Sequence, residues 1–159
     1  MINIGKIIKR GALVSSAVLC CASPFVMREE GLRTTAYLDS VGVATICYGE
    51  TEGVKLGDKR TVEECGEMFK VKLGAYAYAV QVLVERPMPV EVHAAFTSWA
   101  YNVGVGAAAS STLVRLARQG DFDGACDQLL RWKFAGGKPI LLKRRERERE
   151  LCLKGLKDA

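Results

Sequence analysis

From residue 28 onward, apolar and polar positions follow two rhythms. Over residues 34 to 50 the rhythm is that of strands. "TTAYLD" and "VGVATICYG" mix β-branched and aromatic residues, broken by Gly42 and Gly49, which predicts a small antiparallel sheet. A glycine-bearing polar loop, "ETEGVKLGDKR", follows. Beyond it the rhythm is helical. "TVEECGEMFKVKLGAYAYAVQVLV" opens on Thr61 with Glu64 three residues later, a capping box for a helix that runs to about Val84 and stops before Pro87 and Pro89. "VEVHAAFTSWAYNVG" has an apolar face at Val92, Ala95, Phe96 and Trp99 and stops at Gly104. "STLVRLARQG" is a short helix closed by Gly120. Asp121 or Asp123 caps the next, "GACDQLLRWKF", which halts at Gly136-Gly137. A last helix carries "LLKRRERERELCLKGL". Its charge run offers pairs such as Arg144–Glu148 and Arg147–Glu150 beside like-charge pairs such as Glu146–Glu150, and reads as a solvated face. The expected class is α+β: a small sheet lobe followed by a larger helical lobe.

Residues 1 to 27 follow neither rhythm. Lys6, Lys9 and Arg10 precede seventeen uncharged residues, Gly11 to Met27, and Arg28 closes the run. Cations ahead of an apolar stretch give the orientation of an export signal. Seventeen residues is the lower limit for spanning a bilayer, which takes about 17–25, and Gly11, Ser15, Ser16, Ser23 and Pro24 dilute its apolar character. Three readings fit: a cleaved signal peptide ending near Ala22, an uncleaved and weakly held span, and a buried core helix. The span is preferred, because no clean small-x-small cleavage site is present.

Net charge changes little once that segment is set aside. Without its three cations the chain holds 20 basic against 18 acidic residues, too even for a nucleic-acid footprint, and no basic stripe with interleaved aromatics occurs. Of six cysteines, Cys20 and Cys21 lie in the apolar segment. Cys47, Cys65, Cys126 and Cys152 follow it. Export would make the last four candidates for disulfides, with three possible connectivities. The nearest-in-chain pairing, Cys47–Cys65 with Cys126–Cys152, is preferred, with four buried thiols as the alternative. No C-x-x-C pair occurs and His93 is the single histidine, so no metal site is expected.

The candidate chemistry lies in "EEGLRTTAYLDSVGVATICYG", where Glu30, Asp39 and Thr45 form the pattern E-x8-D-x5-T. Glu30, near a helix end among apolar neighbours, is placed to keep a proton. Asp39, at a turn beside Ser40 and Gly42, is placed to stay ionised. Two carboxyl groups held in opposite protonation states are the equipment for glycoside cleavage, and a hydroxyl on the adjoining strand could hold the water. By spacing alone the alternative carries equal weight: two solvated surface acids and a strand-forming threonine.

The same block resembles the catalytic segment of the phage-type lysozymes, glycoside hydrolase family 24. There a Glu-Gly-(Leu/Val)-Arg helix end, a Tyr-x-Asp turn and a Gly-x-x-Thr-(Ile/Val)-x-x-Gly strand recur. "FTSWAYNVG", "SSTLVRLARQGD" and "CDQLLRWKFAGGK" with "RRERERELC" are similar to later segments of the lambdoid endolysins, so the likeness covers about residues 28 to 155. The resemblance implies a lysozyme-like fold with a cleft between the lobes, and no metal or cofactor. It implies Glu30 as general acid, Asp39 as second carboxylate and Thr45 as the hydroxyl that positions water. The implied reaction cleaves the β-1,4 bond between N-acetylmuramic acid and N-acetylglucosamine in peptidoglycan, with inversion. Asn102 either contacts sugar or caps its helix. Two departures stand out: Glu50 where many relatives have histidine, and Ala94 where they often have aspartate.

The resemblance extends to endolysins that are first tethered and then released. On that pattern residues 1–27 form a signal anchor, holding residues 28–159 at the inner membrane through residues 11–27, facing the periplasm. The helix that bears Glu30 would be incomplete until release, and the tethered form inactive. Exchange of Cys20 or Cys21 with Cys47–Cys65 is a further option. The chain is expected to be monomeric. A lytic transglycosylase and a non-catalytic peptidoglycan-binding module are the rival functions.

Overall fold

The structure, a computed structural model, describes residues 14–159. The beginning of the expected membrane segment lies outside the described residues. Helix α1 (Ser16–Glu30) starts where the Ser15 hydroxyl accepts from the Ala17 amide. Val18, Ala22 and Val26 recur every fourth residue, form one buried stripe and face the core. Pro24 lies inside the helix and removes one backbone donor there. Gly31, at φ +70°, ends α1 by donating to the Met27 carbonyl. No helix among the described residues is long and apolar enough to cross a membrane.

Strands β1 (Arg33–Leu38) and β2 (Ala44–Cys47) pair antiparallel, with Tyr37 opposite Thr45 and Leu38 opposite Ala44. The sheet is narrower than the expected 34–50 because the chain turns back at once: Ile46 and Glu50 exchange both backbone hydrogen bonds at 2.8 Å, and Cys47 takes φ +57°.

Helix α2 (Val62–Val84) opens with the expected capping box, Thr61 and Glu64 each bonding the other's amide. Helix α3 (Val90–Val103) is the axis of the molecule. Every residue from Val92 to Tyr101 is buried, as befits a helix packed against α1, α2 and the last helix at once. Ala94, one of the two departures noted above, is fully buried here. His93 is buried too. Its Nε2 donates to the Ala77 carbonyl at 2.8 Å, and burial lowers its pKa.

Three short helices follow: α4 (Val105–Ala109), α5 (Thr112–Gln119) and α6 (Phe122–Gln128). The segment "GACDQLLRWKF", expected as one helix, divides after Gln128 into α6 and a 3-10 turn (Leu129–Trp132). There Trp132 packs edge-on against the buried Trp99. Helix α7 (Leu142–Lys157) closes the fold against α3. Gly155 is required there, since a Cβ would come within 2.8 Å of the Glu91 side chain and 3.1 Å of the Val92 nitrogen.

The solvated reading of the α7 charge run is corrected. Arg144, Arg145 and Glu148 are buried, and Arg147 pairs with Glu29 rather than Glu150. The stripe 144, 148, 152, 155 faces α3, so the charges at its start are carried inward with the rest. Two disulfides, Cys47–Cys65 and Cys126–Cys152, join β2 to α2 and α6 to α7. Cys20 and Cys21 are free thiols.

Candidate active site

Glu30 is the last residue of α1, and its surroundings differ from the apolar neighbourhood expected. Its Oε1 accepts from Arg144 Nη1 at 2.8 Å, a pair in which Arg144 is 6% exposed and Glu30 19%. Arg144 Nε donates to Glu148 Oε1 at 3.1 Å and its Nη2 to the Ser98 carbonyl at 3.2 Å. Ser98 donates to the same Glu148 oxygen, and Arg145 binds the other. Burial works against the charge on Arg144, but Glu30 and Glu148 more than offset it and raise its pKa above the ordinary arginine value. Each of the three nitrogens of this arginine donates to an acceptor, so it holds Glu30 at a set orientation.

The other oxygen of Glu30 lies over the turn after β2. A Cβ on Gly49, which sits at φ +81°, would be 3.4 Å from Oε2. That turn is anchored by Lys72 of α2, whose Nζ donates to the Gly49 carbonyl at 2.6 Å. Lys72 also stands 3.9 Å from Glu50 and 5.1 Å above the Tyr101 ring. Burial lowers the Lys72 pKa, while Glu50, Glu30 and Glu52 push it back up. Burial, then Glu30 and Glu50, raise that of Tyr101, whose hydroxyl donates to the Tyr48 carbonyl.

Asp39 is the first residue of the β1–β2 turn and is half-buried. Its Oδ1 accepts from the amides of Val41 at 3.0 Å and Val43 at 2.8 Å, so both bonds use one oxygen and leave Oδ2 for solvent or substrate. Thr45, on β2, is buried, with its hydroxyl proton committed to the Val43 carbonyl at 3.0 Å. Toward a water it can therefore only accept. Asp39 and Thr45 share one hairpin, and Glu30 meets the opposite end of that hairpin at Gly49. Asn102 is not the helix cap, a role taken by Gly104. Its Oδ1 accepts from Arg145 Nη2, which turns its amide NH2 outward.

Arg144, Glu148 and Lys72 went unrecognised in the sequence. A signal for the first two existed. Cys152 and Gly155 mark the buried face of α7, and stepping back four residues at a time from Cys152 reaches 148 and then 144. Nothing local marks Lys72, which lies in an otherwise ordinary amphipathic helix.

The family and the fold are what comparison with known proteins supplies. The phage lysozyme profile matches residues 27–148.

The chain belongs to the phage lysozyme family.

A "SAR-endolysin" of Bacteriophage PS119 is 40% identical over 151 residues, spanning 93% of this chain and 90% of that protein. Among solved structures, a P22 lysozyme mutant superposes with a TM-score of 0.75 at 37% identity, over 89% of this chain and 99% of that one. The active form of P1 phage endolysin Lyz superposes with a TM-score of 0.75 at 25% identity, over 97% and 95%. Membership in the phage lysozyme family makes the chain a lysozyme-type glycoside hydrolase of the endolysin kind, a family that acts on peptidoglycan.

Proposed function

We propose that the chain lyses its bacterial host by hydrolysing the β-1,4 bond between N-acetylmuramic acid and N-acetylglucosamine, with Glu30 as proton donor. The observation that carries this is the Glu30–Arg144 pair. Because Oε1 accepts from a guanidinium that can only donate, the transferable proton resides on Oε2, above Gly49. From there it passes to the glycosidic oxygen as the bond to the anomeric carbon breaks. Asp39 Oδ2 receives a proton from the attacking water, and Thr45 orients that water by accepting from it. Attack from the face opposite the departing sugar gives inversion. Asn102, its NH2 turned outward by Arg145, is a donor for a sugar hydroxyl or acetamide.

The anchor is part of the same proposal. Residues 1–27 direct export and tether the chain to the inner membrane through residues 11–27, with residues 28–159 in the periplasm as a monomer that binds no nucleic acid. The described end of that segment is also the body of α1, and Val18, Ala22 and Val26 cannot lie in lipid and in the core at once. Tethering thus withholds the helix on whose end Glu30 stands, and release supplies it.

The test is loss of turbidity of outer-membrane-permeabilised Gram-negative cells treated with the full chain, beside Glu30→Gln. Clearing by the first and not the second supports Glu30 as the acid. Clearing by both overturns it. Product masses distinguish hydrolysis from the anhydro sugar of a lytic transglycosylase.

A further inference from the structure

The proposed mechanism uses Arg144 on one side of Glu30 and leaves a second cation unexplained on the other. Lys72 is one of the few lysines here withdrawn from solvent, its side chain 20% exposed. A lysine loses hydration when buried and is usually kept at the surface. This one is held by three different kinds of contact: the Gly49 carbonyl at 2.6 Å, the Glu50 carboxylate at 3.9 Å and the Tyr101 ring face at 5.1 Å. The first bears directly on Glu30, because Oε2 lies close over Gly49, 3.4 Å from where a Cβ there would stand. The turn closed by two reciprocal backbone bonds between Ile46 and Glu50 is tied down at Cys47 by the disulfide to Cys65 and at Tyr48 by the Tyr101 hydroxyl. Lys72 adds a third tie from the middle of α2, at Gly49 itself, the residue nearest Oε2.

We propose that Lys72 is a positioning residue for the proton donor: it pins the Gly49 turn beneath Glu30 Oε2 and, balanced by Glu50, sets the positive potential under which Glu30 gives up its proton. The inference rests on Glu30 being the acid. The charged and titratable groups around Lys72 are Glu30 on α1, Glu50 and Glu52 after β2, Tyr76 on α2, Tyr101 on α3 and, across Glu30, Arg144 on α7. Glu50 plays the counterweight. Its Oε1 accepts from the Thr51 and Glu52 amides at 2.9 and 3.1 Å, which fixes it near Lys72. Removing either partner therefore changes the field at Glu30, with opposite sign. Without Lys72 the site is less positive, a neutral carboxyl is favoured, and the alkaline limb of the pH–activity profile moves to higher pH. Without the Glu50 charge the site is more positive and the same limb moves to lower pH.

The experiment measures kcat and KM on purified peptidoglycan from pH 4 to 9 for the full chain and for Lys72→Met, Lys72→Arg, Glu50→Gln and Glu30→Gln, each corrected for folded fraction by circular dichroism. The expected result is a fall in kcat of about tenfold for Lys72→Met with KM little changed. Its alkaline limb should rise by about half a pH unit or more, and that of Glu50→Gln should fall. Lys72→Arg should restore the limb to its original place. Superimposable profiles for Lys72→Met and wild type, or limbs of Lys72→Met and Glu50→Gln that move the same way, overturn the proposal. If Lys72→Met does not fold, Lys72→Gln, which keeps a donor for the Gly49 carbonyl, takes its place: an alkaline limb raised as for the methionine variant supports the proposal, and an unmoved one overturns it. Full activity of Glu30→Gln would overturn the underlying assignment of the acid. An inactive Glu30→Gln with unmoved Lys72 and Glu50 profiles removes only the role of Lys72.

Discussion

Arg144 joins two carboxylates that would otherwise have no common partner, Glu30 beside the Gly49 turn and Glu148 in the core. Arg144→Gln therefore does more than disorient the acid. It leaves Glu148 with the Arg145 and Ser98 contacts only, in a site with no access to water. Breaking one side of a buried ion network costs about 3–5 kcal/mol, and thermal unfolding should report a loss of that size together with loss of cell clearing. Arg144→Lys retains the charge but cannot span Glu30, Glu148 and the Ser98 carbonyl with one nitrogen, so it should recover part of the stability and little of the activity. Gly49 offers a complementary test. Alanine there must adopt φ +81° and place its methyl 3.4 Å from Glu30 Oε2. The backbone cost is about 1–2 kcal/mol, and Gly49→Ala should reduce kcat by more than that loss of folded protein accounts for.

Elements were legible where their ends are written locally. The Thr61/Glu64 box starts α2, the prolines separate it from α3, and Gly104 and Gly120 stop two further helices. The hairpin was legible from its β-branched residues, and with it the placement of Asp39 and Thr45. What failed was anything set by the partner element. The charges of α7 are ordinary as a sequence and are buried because that helix packs along α3, an approach that Gly155 permits at its far end. The division of α6 from the 3-10 turn brings Trp132 against Trp99, again a long-range choice. Glu30 was visible as a candidate, but its arginine, 114 residues away along the chain, was not. Helix α1 carries a prediction of its own. Deleting residues 1–27 removes the burial of Val18 and Val26, about 1.5–3 kcal/mol each, along with the first three turns leading to Glu30. The remaining chain, 28–159, should be destabilised and should fail to clear cells, and a synthetic peptide of residues 14–27 in excess should restore part of both.

At the scale of the whole molecule, the phage lysozyme fold here depends on a segment that reads as an export anchor. Specific activity should accordingly be low in membrane-bound protein and high in protein shed from the membrane. Equal values in the two fractions, measured per mole by quantitative immunoblot, would sink the tethering idea. His93 sets an acid limit on the folded protein. Its folded pKa lies below the unfolded value because the ring is buried. The contribution of its neutral state is complete above about pH 6.5 and is lost progressively as pH falls, when the unfolded chain takes up the proton. His93→Gln, which keeps a donor for the Ala77 carbonyl, should flatten the fall in Tm between pH 7.5 and 5. Finally, α1 ends on two successive glutamates, and α7 meets them with two arginines three residues apart: Glu30 on Arg144, Glu29 on Arg147. A single pair would tolerate sliding or rolling of one helix on the other. Two adjacent pairs act as the teeth of a key: a slip of one residue would bring Gly31 to Arg144 and Glu30 to Arg147, breaking one pair and misplacing the other. On the proposed release from the membrane, α1 thus has one way to seat, and that seating sets Glu30 over the Gly49 turn.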